Sequence, residues 1–288
     1  MENKLIRKTR KLFQKNKKRI YQAVIAKKVK QSILFIVGCQ RSGTSMLLNV
    51  FDKDLNTKCF GEFSKLSSND TTGEIRLNSL ELVKKEFSRV KAPLIVAKPL
   101  VESQNVLELL DYFDNSRAVW MFRNYKDVAS SNIKHFGIDN GIKDLGPIVH
   151  NEPNNWRSEK ASDYVRETIS KYFSENMNPY DAAVLFWFAR NSIFFDLQLD
   201  KDPRVMMCCY EDLVVDPEKY VRSIYQQVGQ VYPATGITTE VHSNSRRKGR
   251  DIELSLEIEQ VAQELQKKLE ATYQAKVFNM DNPQIVRS

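Results

Sequence analysis

No apolar run in this 288-residue chain is long enough to cross a bilayer. A spanning helix needs roughly 18 apolar residues or more in succession. The longest run here, Ser32 to Cys39, is short and rich in branched residues, which predicts a buried strand. The N-terminus has no apolar stretch followed by a small-residue cleavage site, so no secretory signal is expected. Cysteine is scarce. Cys39, Cys59, Cys208 and Cys209 form neither a CxxC pair nor an evenly spaced framework, which excludes a disulfide scaffold and predicts buried thiols in a reducing compartment. No internal repeat and no cluster of metal-ligating residues is visible, so no metal is expected.

Hydrophobic residues make up 42% of the chain, enough for a sizeable core, and the length suits one large α/β domain. The net charge of +8 is unevenly spread. Residues 1–30 hold twelve Lys or Arg and one Glu, or +11, which leaves −3 for the other 258 residues. The basic character therefore belongs to the first segment, and a nucleic-acid partner for the domain is not expected. In that segment Leu5, Ile6, Leu12, Phe13, Ile20, Tyr21, Val24, Ile25 and Val29 recur at helical spacing between the basic residues. Such a helix lies on an anionic membrane surface, or packs its apolar stripe on the domain. The expected organisation is a basic amphipathic segment over 1–30 and one domain over 31–288. Its expected location is the cytoplasm, or the inner face of a membrane as a peripheral protein.

Strands are predicted at 33–37, 94–97, 118–122 and 204–209. A helix begins near Met46, and others are predicted near 103–112, 126–134, 162–175, 180–199, 216–228 and 253–274. Strands alternating with helices indicate an α/β fold with a central parallel sheet flanked by helices. Residues 137–160 are polar and hold Gly, Pro and Asn, so they read as a long surface loop or lid. Residues 242–250 read as a basic loop.

The most informative stretch is Gly38-Cys39-Gln40-Arg41-Ser42-Gly43-Thr44-Ser45, a strand running through a tight loop into a helix. Backbone amides and a helix N-terminus at such a turn attract an anion. The spacing nearly matches the nucleotide-triphosphate loop G-x-x-x-x-G-K-[ST], but Thr44 stands where the lysine belongs. That absence argues against a kinase or ATPase.

Arg41-Ser42-Gly43-Thr44-Ser45 resembles the 5′-phosphosulfate loop of sulfotransferases that use 3′-phosphoadenosine 5′-phosphosulfate (PAPS). Phe122-Arg123 followed by Ser131 is similar to that family's 3′-phosphate motif, an arginine at a strand end and a serine eight residues on. Tyr210-Glu211-Asp212-Leu213 resembles its Y-E-D-L segment. Ser245-Arg246-Arg247-Lys248-Gly249 is similar to the loop that closes over the nucleotide. The likeness spans about 32 to 250. It implies a P-loop NTPase-like sulfotransferase fold, PAPS as co-substrate and no metal. It also implies nucleotide binding by Arg41, Ser42, Gly43, Thr44, Ser45, Arg123, Ser131, Tyr210 and Ser245 to Gly249. A second arginine suits a second phosphate, because a guanidinium offers paired charge-assisted hydrogen bonds. On its own, Arg123 also reads as a surface ion pair with Asp127, four residues on.

Sulfuryl transfer needs an in-line arrangement, positive charge and a base for a hydroxyl acceptor. Arg41 and Lys98 are the candidate cations, Lys98 because it ends a strand at the sheet's carboxyl edge. In cytosolic relatives a histidine base follows this lysine closely, whereas here the segment is Lys98-Pro99-Leu100. Cys59-Phe60-Gly61-Glu62 resembles the C-G-E segment of tyrosylprotein and carbohydrate-type sulfotransferases, which implies Glu62 as the base, with His135 the competitor. The expected acceptor is a hydroxyl or amine of a glycan, lipid or small metabolite. The competing classes are a kinase-like phosphotransferase and a non-catalytic adaptor at membrane or RNA. Acceptor identity and oligomeric state are not encoded in any motif.

Overall fold

The computed structural model describes residues 16–18, 20–22, 30–234, 236–242, 249 and 251–281. Strand β1 (Ser32–Gly38) is followed by α1 (Thr44–Lys53) and β2 (Thr57–Phe60). A hairpin of β3 (Ser67–Asn69) and β4 (Ile75–Leu77) leads to α2 (Leu80–Ser88) and β5 (Leu94–Ala97). A 3-10 turn (Leu100–Asn105), α3 (Val106–Tyr112) and β6 (Ser116–Phe122) come next. Helices α4 (Tyr125–Phe136), α5 (Asn140–Val149), α6 (Asp163–Tyr172) and α7 (Pro179–Asp196) then precede β7 (Val205–Cys209). The short α8 (Tyr210–Leu213), α9 (Pro217–Gln227) and the closing α10 (Leu256–Asp281) complete the order.

Five strands form one parallel sheet in the order β2-β5-β1-β6-β7. The central β1 is buried along its whole length, as a strand covered on both faces must be. From β1 the chain crosses toward β2, and from β6 it crosses the other way toward β7. Connections that part in this way open a crevice at the strands' carboxyl ends, where ligands bind in open α/β sheets.

One face of the sheet is covered by α7, which is buried from Asp181 through Phe194. It is buried on every side because it lies between the sheet and α4, α5 and α10. On the opposite face Leu47, Val50 and Phe51 of α1 meet Val221, Ile224 and Tyr225 of α9. Asn124 caps α4 by accepting from the amides of Lys126 and Asp127, so the chain turns sharply just beyond Arg123.

The expected central sheet is present, with β2, the β3–β4 hairpin and α2 in addition to the predicted elements. The long loop expected over 137–160 is a finding in the other direction, because 140–149 is the helix α5. Gly141 misleads for a packing reason. A Cβ on Gly141 would lie 2.7 Å from the Ala183 amide nitrogen, so this glycine allows α5 to approach α7 closely. Residues 16–18 and 20–22 are helical. Lys18 Nζ reaches Asp52 Oδ1 at 3.1 Å, and Gln22 Nε2 donates to the carbonyls of Leu55 (2.8 Å) and Thr57 (3.0 Å). These contacts lie at the start of β2, away from the carboxyl edge. The rest of the 1–29 segment, and the predicted loop residues Ser245, Arg246, Arg247 and Lys248, lie outside the described residues.

Candidate active site

At the end of β1 the backbone must come unusually close to β6. A Cβ on Gly38 would sit 2.3 Å from the Met121 carbonyl oxygen, and φ there is +123°. Arg41 (φ +66°) and Gly43 (φ +89°) are also left-handed, and they bend the loop onto the N-terminus of α1. The first amides of that helix have no intrahelical acceptor, which makes it an anion-seeking end. The loop rests on the Tyr210 ring, and a Cβ on Gly43 would be 2.4 Å from Tyr210 Cδ2. Ser42 and Thr44 are buried, whereas Ser45 faces solvent.

Register carries the next groups in. Phe122 pairs with Cys209, so Arg123 and Tyr210 leave neighbouring strands side by side. The Arg123 guanidinium lies over the Tyr210 ring at 4.2 Å and donates through Nη1 to the Arg41 carbonyl at 3.3 Å. It is buried, and its ion pair with Asp127 (3.4 Å) is buried too, so the surface salt bridge that the spacing allowed is not what forms. Asp127 Oδ1 also accepts from the Gly249 amide at 2.8 Å, and a Cβ on Gly249 would collide with the Lys126 carbonyl. Arg41 Nε donates to Ser131 Oγ at 3.0 Å. Burial and the neighbouring Arg123 both lower the Arg41 pKa. Arg41, Gly43, Arg123, Ser131, Tyr210 and Gly249 are thus brought into one contiguous cluster.

The base candidate stands on the other side of β1. Phe60 pairs with Ala97, and the Lys98 amide donates to the Phe60 carbonyl at 2.9 Å. Glu62 and Lys98 therefore project from adjacent strand ends, with Lys98 Nζ 3.0 Å from Glu62 Oε2. Both line a cavity of about 610 Å³ that also takes in Arg41, Thr44 and Ser45. His135 is on the rim of the same cavity, exposed, with its ring 4.6 Å from that of Phe136.

Three lining residues escaped the sequence reading. Asp144 Oδ1 accepts from Arg157 Nε at 2.6 Å, and Arg157 Nη1 donates to Glu74 Oε1 at 3.0 Å. Asp144 Oδ2 accepts from Asn140 (2.7 Å) and from Gln40 of the β1 loop (3.3 Å). Burial raises the Asp144 pKa, and Arg157 opposes it. A signal did exist for Asp144. It shares the helical face of Gly141, Leu145 and Ile148, and a carboxylate among buried positions is unexpected without a partner. Glu74 and Arg157 sit on connecting turns and carry no periodic signal.

Burial pushes the thiols of Cys39, Cys59 and Cys208 up to about 12, and all four cysteines are free thiols. Among the described residues no group of His, Cys, Asp and Glu could hold a metal, and no helix is long and apolar enough to cross a membrane.

A family model described as "Sulfotransferase domain" matches residues 31–269, a span that includes every residue of the cluster and the cavity. No match is found among curated proteins. Solved structures similar to this chain include the sulfotransferase domain from the curacin biosynthetic pathway, with a TM-score of 0.55, 16% identity, and coverage of 84% of this chain and 99% of that one. The sulfotransferase domain of the Synechococcus PCC 7002 olefin synthase gives 0.47 at 18% identity, covering 82% and 94%. A sulfotransferase from Alicyclobacillus acidocaldarius gives 0.44 at 14% identity, covering 86% and 96%. At such identities the first of these establishes a common fold and nothing finer.

Proposed function

The chain belongs to the sulfotransferase domain family and has its P-loop-like fold, and from that premise we propose that it transfers the sulfuryl group of PAPS to a hydroxyl or amine acceptor. The observation that carries the donor assignment is the Arg123 guanidinium, which is buried against Tyr210 and turned onto the loop carbonyl of Arg41. PAPS is phosphorylated at both ends of its ribose. The residues present fit it: a loop closing on a helix N-terminus for one anion, and Arg123 with Ser131 for the other. Glycine at 43 and 249 keeps the backbone bare where a side chain would meet Tyr210 or Lys126.

In this reading Glu62 takes the acceptor proton while Lys98 and Arg41 hold positive charge beside the transferring group. The donor S–O bond breaks with its electron pair left on the nucleotide, and the acceptor oxygen or nitrogen bonds to sulfur. Thr44 in the lysine position of the triphosphate loop weighs against ATP as the donor. Residues 1–30 are proposed to hold the enzyme to an anionic membrane surface. Retention on anionic vesicles that survives their deletion would remove that role.

The test of the donor is a thermal-shift comparison of PAP (the desulfated nucleotide), ADP and ATP with Mg²⁺. A ligand that prefers the folded state raises its melting temperature. PAP is expected to give the largest shift. An equal or larger shift with ATP and Mg²⁺ overturns the PAPS assignment.

A further inference from the structure

Three cations and three carboxylates line the large cavity: Arg41, Lys98 and Arg157 against Glu62, Glu74 and Asp144. Two of the cations are already matched. Lys98 holds Glu62, and Arg157 holds Asp144 and Glu74 together. Arg41 belongs to the loop after β1, on the donor side. Away from the donor loop, both the lysine and the arginine that line this cavity are therefore held by carboxylates. Much of the surface around it is carbon, from Ile75, Val101 and Trp156 to the rings of Phe63 and Phe136 at the rim. Phe63 is 85% exposed, an unusual position for such a ring unless something apolar meets it.

An acceptor bearing a negative charge near Arg157 would lose water next to two carboxylates that share one guanidinium. The two carboxylates are not equivalent. The Asp144 side chain is 4% exposed and further held by Asn140 and Gln40, so it fixes the guanidinium in place. That of Glu74 is 40% exposed and comes from the hairpin turn, where its amide is held by Asp70. Glu74 Oε2 also accepts from Trp156 Nε1 at 3.4 Å, which ties the apolar wall to the same carboxylate.

We infer that Glu74 sets the charge of the acceptor: by occupying Arg157 it turns away anionic acceptors and favours those with an apolar body and no negative charge. This rests on the sulfotransferase reading above. It adds a specificity residue on the hairpin, remote from the donor loop in sequence, and a substrate class.

The experiment uses the full chain, saturating PAPS and two probes that differ by one charge, 2-naphthol and 6-hydroxy-2-naphthoate. The wild type is expected to sulfate 2-naphthol with a kcat/KM at least about tenfold above that for the hydroxynaphthoate. Glu74→Gln leaves Arg157 with Asp144 as its one carboxylate and removes a negative charge from the wall, so this ratio should fall about tenfold or more, through a lower KM for the anionic probe. The melting-temperature shift with PAP should not change. Glu74→Ala serves as the second variant if the amide disturbs the hairpin. A wild type that prefers the anionic probe, variants with an unaltered ratio, or no sulfation of 2-naphthol by an enzyme that binds PAP each overturns the inference. Failure of the wild type to be stabilised by PAP strikes the donor reading instead.

Discussion

Lys98 Nζ and Glu62 Oε2 stand 3.0 Å apart at the ends of two hydrogen-bonded parallel strands. The register of Phe60 with Ala97 brings the two strand ends together, and Glu62 stands in the turn that follows β2.

Glu62→Gln keeps the shape of the side chain and removes its capacity to take a proton. The expected outcome is a fall in kcat of ~10²–10⁴, the usual worth of a general base, with PAP affinity close to that of the wild type. Steady-state turnover and PAP titration check it. Turnover within a factor of two of wild type would take Glu62 out of the mechanism.

Arg123→Ala removes a guanidinium that touches Tyr210, Asp127 and the loop carbonyl of Arg41. PAP should bind at least about tenfold more weakly, the scale of a lost charge-assisted bond. Adenosine 5′-phosphosulfate, which lacks the 3′-phosphate, should lose much less. Calorimetric titration with both ligands decides, and equal losses would mean that Arg123 does not read the 3′-phosphate.

Gly43→Ala meets two obstacles, a φ of +89° and the Tyr210 ring 2.4 Å from the new methyl carbon. A loss of about 1–3 kcal/mol in unfolding free energy is expected from strain of this kind. Urea denaturation measures it. In a Tyr210→Ala background the same change should cost less, because the colliding ring is gone.

Alkaline pH should weaken the fold. Unfolded, the thiols of Cys39, Cys59 and Cys208 lose their protons near 9.0, whereas burial holds them to about 12. Between those values the folded chain binds more protons than the unfolded chain, so stability falls as pH rises. By pH 10 the loss should be about 1 kcal/mol per thiol. The urea midpoint at pH 10 is therefore expected below that at pH 8, and a midpoint that does not move contradicts it.

The sheet and its loop were legible because they are local. Ile33 to Val37 is a continuous apolar run, and Gly38 and Gly43 mark the turn after it. The hairpin at 67–77 was not, since its strands are three residues each, lie partly in solvent and show no alternation. Helix α5 was hidden by Gly141, whose role is contact with α7 rather than chain reversal. Arg123, Ser131 and Tyr210 could be placed in one site through motif order and strand ends. The Glu74–Arg157–Asp144 chain could not, because it joins a hairpin turn, a connecting segment and a helix that meet only when the molecule is folded.

Strand order divides the labour of the crevice. Glu62 and Lys98 hang from β2 and β5, on one flank of β1, while Arg123 and Tyr210 hang from β6 and β7 on the other. On the proposed reading, a chimera that exchanged the hairpin while keeping Glu62 and Lys98 is expected to alter which acceptor is used and to keep the nucleotide donor.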